Sequence, residues 1–313
     1  MTIPILDAAA VALQLDNIDV LHVLEDMFME IAHDRAVQPP QTVTLFPADA
    51  GDFITYQGVL SKHAVFGAKL SPYIVQENKP IITAWTCLMS TETGQPLLLC
   101  DAGQLTTERT AGTTALAVKH LADTASQKVA IIGAGAIAQA HWRHVANLCD
   151  WQEVALWSPS LSVEDPRFEE WRVLCPSINL AESAEQAAAD ADVVMLCTSS
   201  GTPVIDPGCI KAGALVTSIS TNVAQAHEVT PGFLLNSQVY CDYRATTPDT
   251  AGEMVLAAAE YGWDTSKLIG DLAELVAGQC PTPQRDCPVF FRSVGLGLED
   301  IAMAAALQQS LQN

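Results

Sequence analysis

Basic residues are scarce in this chain: 15 Lys and Arg stand against 36 Asp and Glu, a formal charge of -21 at pH 7 over 313 residues. Nucleic acid is held by clustered Lys and Arg that neutralise phosphates, so no nucleic-acid partner is expected. No apolar run reaches the roughly 18 residues of a membrane-spanning helix, so no membrane is expected either. The opening MTIPILDAAAVALQLDNIDV has no basic stretch and meets Asp7 and Asp16 early, which does not read as a secretory signal. The nine cysteines (87, 100, 149, 175, 197, 209, 241, 280 and 287) include no CxxC pair, and most lie in apolar runs such as LLLCD and VVMLCT. Metal ligation and a disulfide framework both need spacing that is missing, so buried free thiols in a reduced, cytoplasmic protein are expected and no metal site is assigned. Internal repeats and low-complexity tracts are also lacking. With nearly half the residues apolar, the chain reads as globular and soluble, and its length suits two domains.

Two textures are present. From Asn17 to His33, residues Val20, Leu21, Leu24, Met27, Phe28 and Ile31 fall at helical spacing, and Pro39 and Pro40 follow. Between Thr42 and Leu99, the short runs TVTLF, AVFGAKL, IITAWTCLM and PLLLC, separated by turn-type residues, predict antiparallel strands and hairpins. A helix is predicted over Thr106–Ala122. Beyond it KVAIIGAG, EVALW, DVVMLCT, ALVTSIS and QVYCD alternate with helical stretches such as IAQAHWRHVANLC, the pattern of a doubly wound parallel sheet. The fold class is therefore α/β with an additional α+β region.

In KVAIIGAGAIAQAHW an apolar strand runs into Gly133 and Gly135 and then into a helix. Such glycines allow a tight turn and close approach of a pyrophosphate to the helix start at Ala136 and Ile137, and Ala138 takes the third position, where a small residue lets helix and sheet pack. A dinucleotide site is the expectation. Its ribose should lie at the end of the second strand, VALWSPSLS, where an acid would hold a 2′-hydroxyl and an Arg a 2′-phosphate. Ser158 and Ser160 are neither, so NADH and NADPH both stay open, with the missing acid tilting toward NADPH.

Several stretches together resemble the ornithine cyclodeaminase/mu-crystallin family: GAKL around Lys69, TETGQPLLLCDAGQLTTERTAGTTALAVKHLA over 91–122, VAIIGAGAIAQAHW, DVVMLCTSSGTPVI, Asn222 to Glu228, and FRSVGLGLED. The resemblance covers nearly the whole chain. It implies a substrate-binding and dimerisation domain of residues 1–118 with 296–313, a Rossmann-type NAD(P) domain of 119–295, homodimers, and chemistry on small amino acids or their imines. Lys69 and Arg109 match the family's substrate-binding pair, and a bidentate guanidinium beside an ammonium suits an α-carboxylate. Arg109 and Thr110 would also approach the cofactor, although helix capping is a second account of Thr110. Thr198, Ser199 and Ser220, at strand ends, and Val294 and Gly295, in the SVG turn beside the nicotinamide, complete the expected cofactor set. Asp300 matches a family acid that either acts at the cofactor or caps the last helix.

Two departures narrow the reading. The family often has an Arg where this chain has Gln41, which binds carboxylate without charge. The cyclodeaminase Asp is Asn222 here, while Glu228 is kept. An Asn cannot exchange protons near a substrate nitrogen, so ornithine cyclodeamination is disfavoured. The expected activity is reduction of a cyclic ketimine carboxylate, Δ1-pyrroline-2-carboxylate to L-proline, with Δ1-piperideine-2-carboxylate to pipecolate as the six-membered counterpart. In that reading the proton comes from solvent or from Lys69, Asn222 positions a ligand or a water in the catalytic site, and Gln41, Lys69 and Arg109 hold the substrate. The alternatives are an ornithine cyclodeaminase, an alanine or N-alkyl amino acid dehydrogenase, and a non-catalytic binder of dinucleotide or small ligand. His22, His33, His120, His141 and His144 read as structural; His227, beside Glu228, is a pocket candidate without a role.

Overall fold

The computed structural model describes residues 3–77, 79–221 and 225–312. Two compact units emerge: Met1–Arg109 joined by Gly295–Asn313, and Thr110–Val294. The sequence reading set its boundaries at 118/119 and 295/296. The first of these falls inside the helix Gly103–Leu121, whose chain passes from one unit to the next at Arg109.

The described part of the first unit forms an eight-stranded mixed sheet. Its order is Ile5–Leu6, Pro96–Asp101, Trp85–Ser90, Val65–Ile74, Gly51–Leu60 and Ala36–Val37, with Thr42–Leu45 and Ile81–Ile82 added beside the two long strands. All pairs are antiparallel except Ile5–Leu6 with Pro96–Asp101. The ten-residue strand Gly51–Leu60 had escaped the sequence reading, because GDFITYQGVL lacks a clean apolar alternation. Across the sheet, Tyr56 lies opposite Lys69, Lys69 opposite Thr86, and Thr86 opposite Cys100. Directly opposed residues share a face, so the register alone sets these side chains in one row.

The helix Gly297–Ser310 covers that face. Its close approach depends on missing side chains: a Cβ on Gly58 would meet Leu298 Cδ2 at 2.8 Å, and one on Gly67 would meet Ile301 Cδ1 at 2.9 Å. The helix Val20–Ala32 packs on it in turn, burying Leu24, Met27 and Phe28, and starts where the Asp19 carboxylate accepts a bond from the His22 amide.

In the second unit the strand order is Ile178–Leu180, Glu153–Trp157, Lys128–Ile132, Val193–Leu196, Leu215–Ser218, Val289–Arg292, Gln238–Cys241 and Leu268–Asp271, all parallel. The central strands are buried except at Lys128, as a sheet covered by helices on both faces requires. Ile178–Leu180, Leu268–Asp271 and Val289–Arg292 add three strands to those legible in the sequence. The chain leaves Lys128–Ile132 first for one neighbour, Glu153–Trp157, and later for the other, Val193–Leu196. Ligands of open α/β sheets bind at the carboxyl ends of strands at such a switch point.

Candidate active site

In the first unit, four charges meet under the last helix. Lys69 Nζ straddles the Asp300 carboxylate, 3.0 Å from Oδ1 and 2.9 Å from Oδ2. Arg109 sends Nε to Asp300 Oδ1 at 3.2 Å and Nη1 to Glu299 Oε2 at 2.8 Å. All four side chains are buried. Ions taken out of water in this way need close partners of opposite sign, and each has one. Lys69 Nζ also lies 4.1 Å from the centroid of the Tyr56 ring and 3.4 Å from Thr106 Oγ1.

These surroundings tune the proton affinities. Burial pulls the Lys69 ammonium down to about 8, with Arg109 adding to the fall and Asp300 opposing it. Burial also works against the Arg109 charge, but Asp300 and Glu299 outweigh it and hold the guanidinium firmly protonated. The Tyr56 hydroxyl is pushed up by burial, with Arg109 tempering the rise. A lysine that titrates near 8, a locked cation and a half-buried tyrosine can bind an anion and move a proton.

Gly295 has a steric reason for its identity. Its φ is +83°, and a Cβ there would lie 2.2 Å from Arg109 Nη1, so a side chain would evict the guanidinium. Gln41 directly precedes the strand residue Thr42, which lies opposite Thr55. Gln41 Oε1 and Thr86 Oγ1 are buried without a hydrogen-bond partner among the described residues. Asp300 is not the cap of the last helix: Leu296 holds that position and Asp300 sits in the first turn, facing Lys69. Thr110 is not a cap either, since its helix begins at Gly103.

In the second unit the turn after Lys128–Ile132 has the shape a pyrophosphate needs. Gly133 adopts φ +118°, and a Cβ there would meet the Cys197 carbonyl oxygen at 2.4 Å. Nothing lies within 4 Å of a Cβ placed on Gly135, which caps the helix Ala136–Val145 without a side-chain bond to its amides. Gly135, Ala136 and Ile137 are exposed whereas Ala138 is fully buried, so the helix start is open and its next turn is packed. These residues fit a dinucleotide: the positive end of the helix is exposed and the space beside Gly135 is open.

Glu228 organises the neighbouring strand ends. Its carboxylate accepts from Thr198 N and Oγ1 at 2.9 and 2.6 Å, Ser218 Oγ at 2.8 Å, Ile219 N at 2.9 Å and Ser220 N at 3.1 Å. Thr198 and Ser220 are thereby fixed, Ser220 also donating to the Ser200 carbonyl at 2.6 Å, and Ser199 is exposed between them. Arg292 Nε pairs with Glu253 Oε1 at 2.8 Å beneath this loop, and burial raises the Glu253 pKa against that pairing. Asp242 accepts from Val294 N at 2.7 Å and Ser293 Oγ at 3.2 Å, which holds the SVG turn. Asn222 lies outside the described residues. Glu299, Tyr56, Asp242 and Arg292 went unnoticed in the sequence; the ED pair within FRSVGLGLED was the one available signal for Glu299.

His141 is a satisfied core residue, with Nε2 2.9 Å from Thr114 Oγ1 and Nδ1 2.7 Å from the Ile137 carbonyl oxygen. His227 Nδ1 lies 2.8 Å from the carbonyl oxygen of Gln225. All nine cysteines are free, and no group of three or more His, Cys, Asp or Glu among the described residues could hold a metal. No described helix is long and apolar enough to cross a membrane.

Residues 4–313 match the model of the ornithine cyclodeaminase/mu-crystallin family, and the chain belongs to that family. The NAD(P)H-dependent anabolic L-arginine dehydrogenase DauB of Pseudomonas aeruginosa is 52% identical over 298 residues, 95% of this chain and 94% of that protein. A Δ1-pyrroline-2-carboxylate reductase of Colwellia psychrerythraea is 26% identical over 258 residues, 79% of this chain and 80% of that protein. The solved structure of Thermococcus litoralis Δ1-pyrroline-2-carboxylate reductase, in complex with NADH and L-proline, superposes with a TM-score of 0.89 at 22% identity, covering 99% of this chain and 98% of the other. At that identity the likeness is one of fold.

Proposed function

We propose that this NAD(P)-dependent oxidoreductase reduces the imine of a basic 2-oxo acid, with L-arginine as the amino acid formed. The observation that carries the reading is the 52% identity with an L-arginine dehydrogenase over 95% of the chain. The charge pattern supports it. Lys69 and Arg109 are matched by Glu299 and Asp300, and Gln41 adds no charge, so the cluster does not repel a substrate that carries a guanidinium as well as a carboxylate. The net charge of -21 also favours encounter with cationic solutes.

When bound, NAD(P)H supplies the hydride. Gly133, Gly135 and the helix start at Ala136 and Ile137 would receive its pyrophosphate, and Thr198, Ser199, Ser220 and Val294 would hold it from the neighbouring strand ends. Arg109, locked in its charged form, takes the substrate carboxylate. Lys69, with its pKa near 8, holds a proton for the imine nitrogen and accepts one back in the oxidative direction. Asp300 keeps Lys69 oriented through both carboxylate oxygens.

A second reading, the cyclic ketimine reduction expected from the sequence, is favoured by the 26% identity with a Δ1-pyrroline-2-carboxylate reductase. Both are tested by following NAD(P)H oxidation with 2-oxo-5-guanidinopentanoate plus ammonium and, separately, with Δ1-pyrroline-2-carboxylate. The arginine reading expects kcat/KM at least about tenfold higher for the guanidino acid. Preference for the cyclic imine would replace it with the second reading, and turnover of neither would overturn both readings.

A further inference from the structure

We propose that Arg167 reads the adenosine ribose and makes NADPH the tighter-bound cofactor. The inference rests on the dinucleotide reading of the second unit and is independent of which imino acid is reduced. Four observations place Arg167 at that point. The glycine turn is tied to the end of the second strand, since Gly133 N donates to the Trp157 carbonyl oxygen at 2.8 Å. Ser158 and Ser160 follow that strand directly. The helix Pro166–Leu174 is pinned to the same turn, because the buried Trp171 donates from Nε1 to the Ala134 carbonyl oxygen at 3.1 Å. Arg167 stands one helical turn before Trp171, on the same side of the helix, and reaches back to Ser160, with Nη2 2.5 Å from its carbonyl oxygen and Nη1 3.4 Å from its Oγ.

The guanidinium is held in a fixed orientation. Nε lies 3.0 Å from Asp165 Oδ1 and Nη2 lies 2.6 Å from Asp165 Oδ2, while the Arg167 amide donates to Asp165 Oδ1 at 2.9 Å. Asp165 is therefore occupied as helix cap and as Arg167's counter-ion, which leaves it poorly placed to accept a ribose 2′-hydroxyl. Nη1, committed only to the long contact with Ser160 Oγ, is the arm left to donate outward. A 2′-phosphate brings about two negative charges and several acceptors to this strand end, and a preset guanidinium matches it better than it matches a hydroxyl. Asp165 and Glu170 oppose the phosphate, as do any acids of the adjoining loop such as Glu164. Their opposition makes Arg167 the residue on which the preference turns.

The test is direct titration of cofactor-free protein with NADPH, NADH and adenosine 2′,5′-bisphosphate, followed by calorimetry, for the wild type, Arg167→Ala and Arg167→Lys. Arg167 is on the surface, and its replacement is read in binding rather than turnover. The wild type is expected to bind NADPH more tightly than NADH. Arg167→Ala is expected to weaken NADPH and the bisphosphate about tenfold or more while NADH changes less than about twofold, with Arg167→Lys between. Equal weakening of NADPH and NADH in Arg167→Ala overturns the proposal by making the residue a scaffold, and an unchanged NADPH affinity overturns it outright. Failure of the wild type to bind either dinucleotide would sink the dinucleotide reading and this inference with it. Failure of the arginine assay alone leaves both standing.

Discussion

The two units each bury an ion pair, Arg292 with Glu253 in the second, but they use the carboxylates of their candidate sites differently. In the first, Lys69, Arg109, Glu299 and Asp300 pair with one another, side chain to side chain, and the pairing leaves one member with a pKa near 8. In the second, Glu228 spends its carboxylate largely on backbone amides and hydroxyls at strand ends, and Asp242 does the same for the SVG turn. The first arrangement makes a reactive side chain. The second makes a rigid backbone edge, its strand-end amides already satisfied by carboxylates. One unit is chemically poised and the other geometrically poised.

That contrast can be broken from either side. The largest effect is expected from Lys69→Ala, which should lower kcat by about 10²–10⁴-fold, the range for a lost proton-transfer group, with NAD(P)H affinity retained in a direct titration. Loss of cofactor binding along with turnover would dissolve the division of labour. Arg109→Leu takes a buried cation away from the Glu299 and Asp300 carboxylates and should cost about 3–5 kcal/mol of stability, read from urea unfolding, besides abolishing turnover. Glu228→Ala strips several donors of their shared acceptor. It should cost about 1.5–3 kcal/mol and weaken the cofactor while leaving the Lys69 titration in place.

Within the glycine turn the two positions should separate. Gly133→Ala forces a side chain onto the Cys197 carbonyl at positive φ and should lose about 1–3 kcal/mol in thermal or urea unfolding. Gly135→Ala meets no neighbour in the protein, so stability should hold while NAD(P)H binding weakens. The smallest effect is one of pH. Lys69 is protonated below about 8, so the reductive kcat/KM should fall as pH rises through that value, and amino acid oxidation, which needs neutral Nζ, should rise through it. A flat profile in both directions would remove Lys69 from proton transfer.

Much of this layout was legible in local pattern. The strand, glycine turn and helix around Gly133 were readable because every requirement lies within about ten adjacent residues. Lys69 and Arg109 were singled out by resemblance and by the chemistry of carboxylate binding, but their partners were not. Asp300 had been read as a cofactor acid or a cap, and Glu299 had not been read at all. The strand Gly51–Leu60, which carries Tyr56, was missed because its residues are half-buried on both faces and show no two-residue period. Ser158 and Ser160 offered neither an acid nor an Arg, and the guanidinium that reaches Ser160 belongs to the next helix, beyond the span in which a strand end is read.

By itself the sequence determined the order of elements, the division into an α+β and an α/β region, and the nature of the glycine turn, since each follows from spacing along the chain. Tertiary structure decided the site. Lys69 meets Asp300 across 231 positions, and Arg109 meets Glu299 across 190, because the last helix settles on the sheet, with Gly58, Gly67 and Gly297 at close approaches. Periodicity tells which face of an element is covered. Which charged residue arrives to cover it depends on packing between elements far apart in the chain.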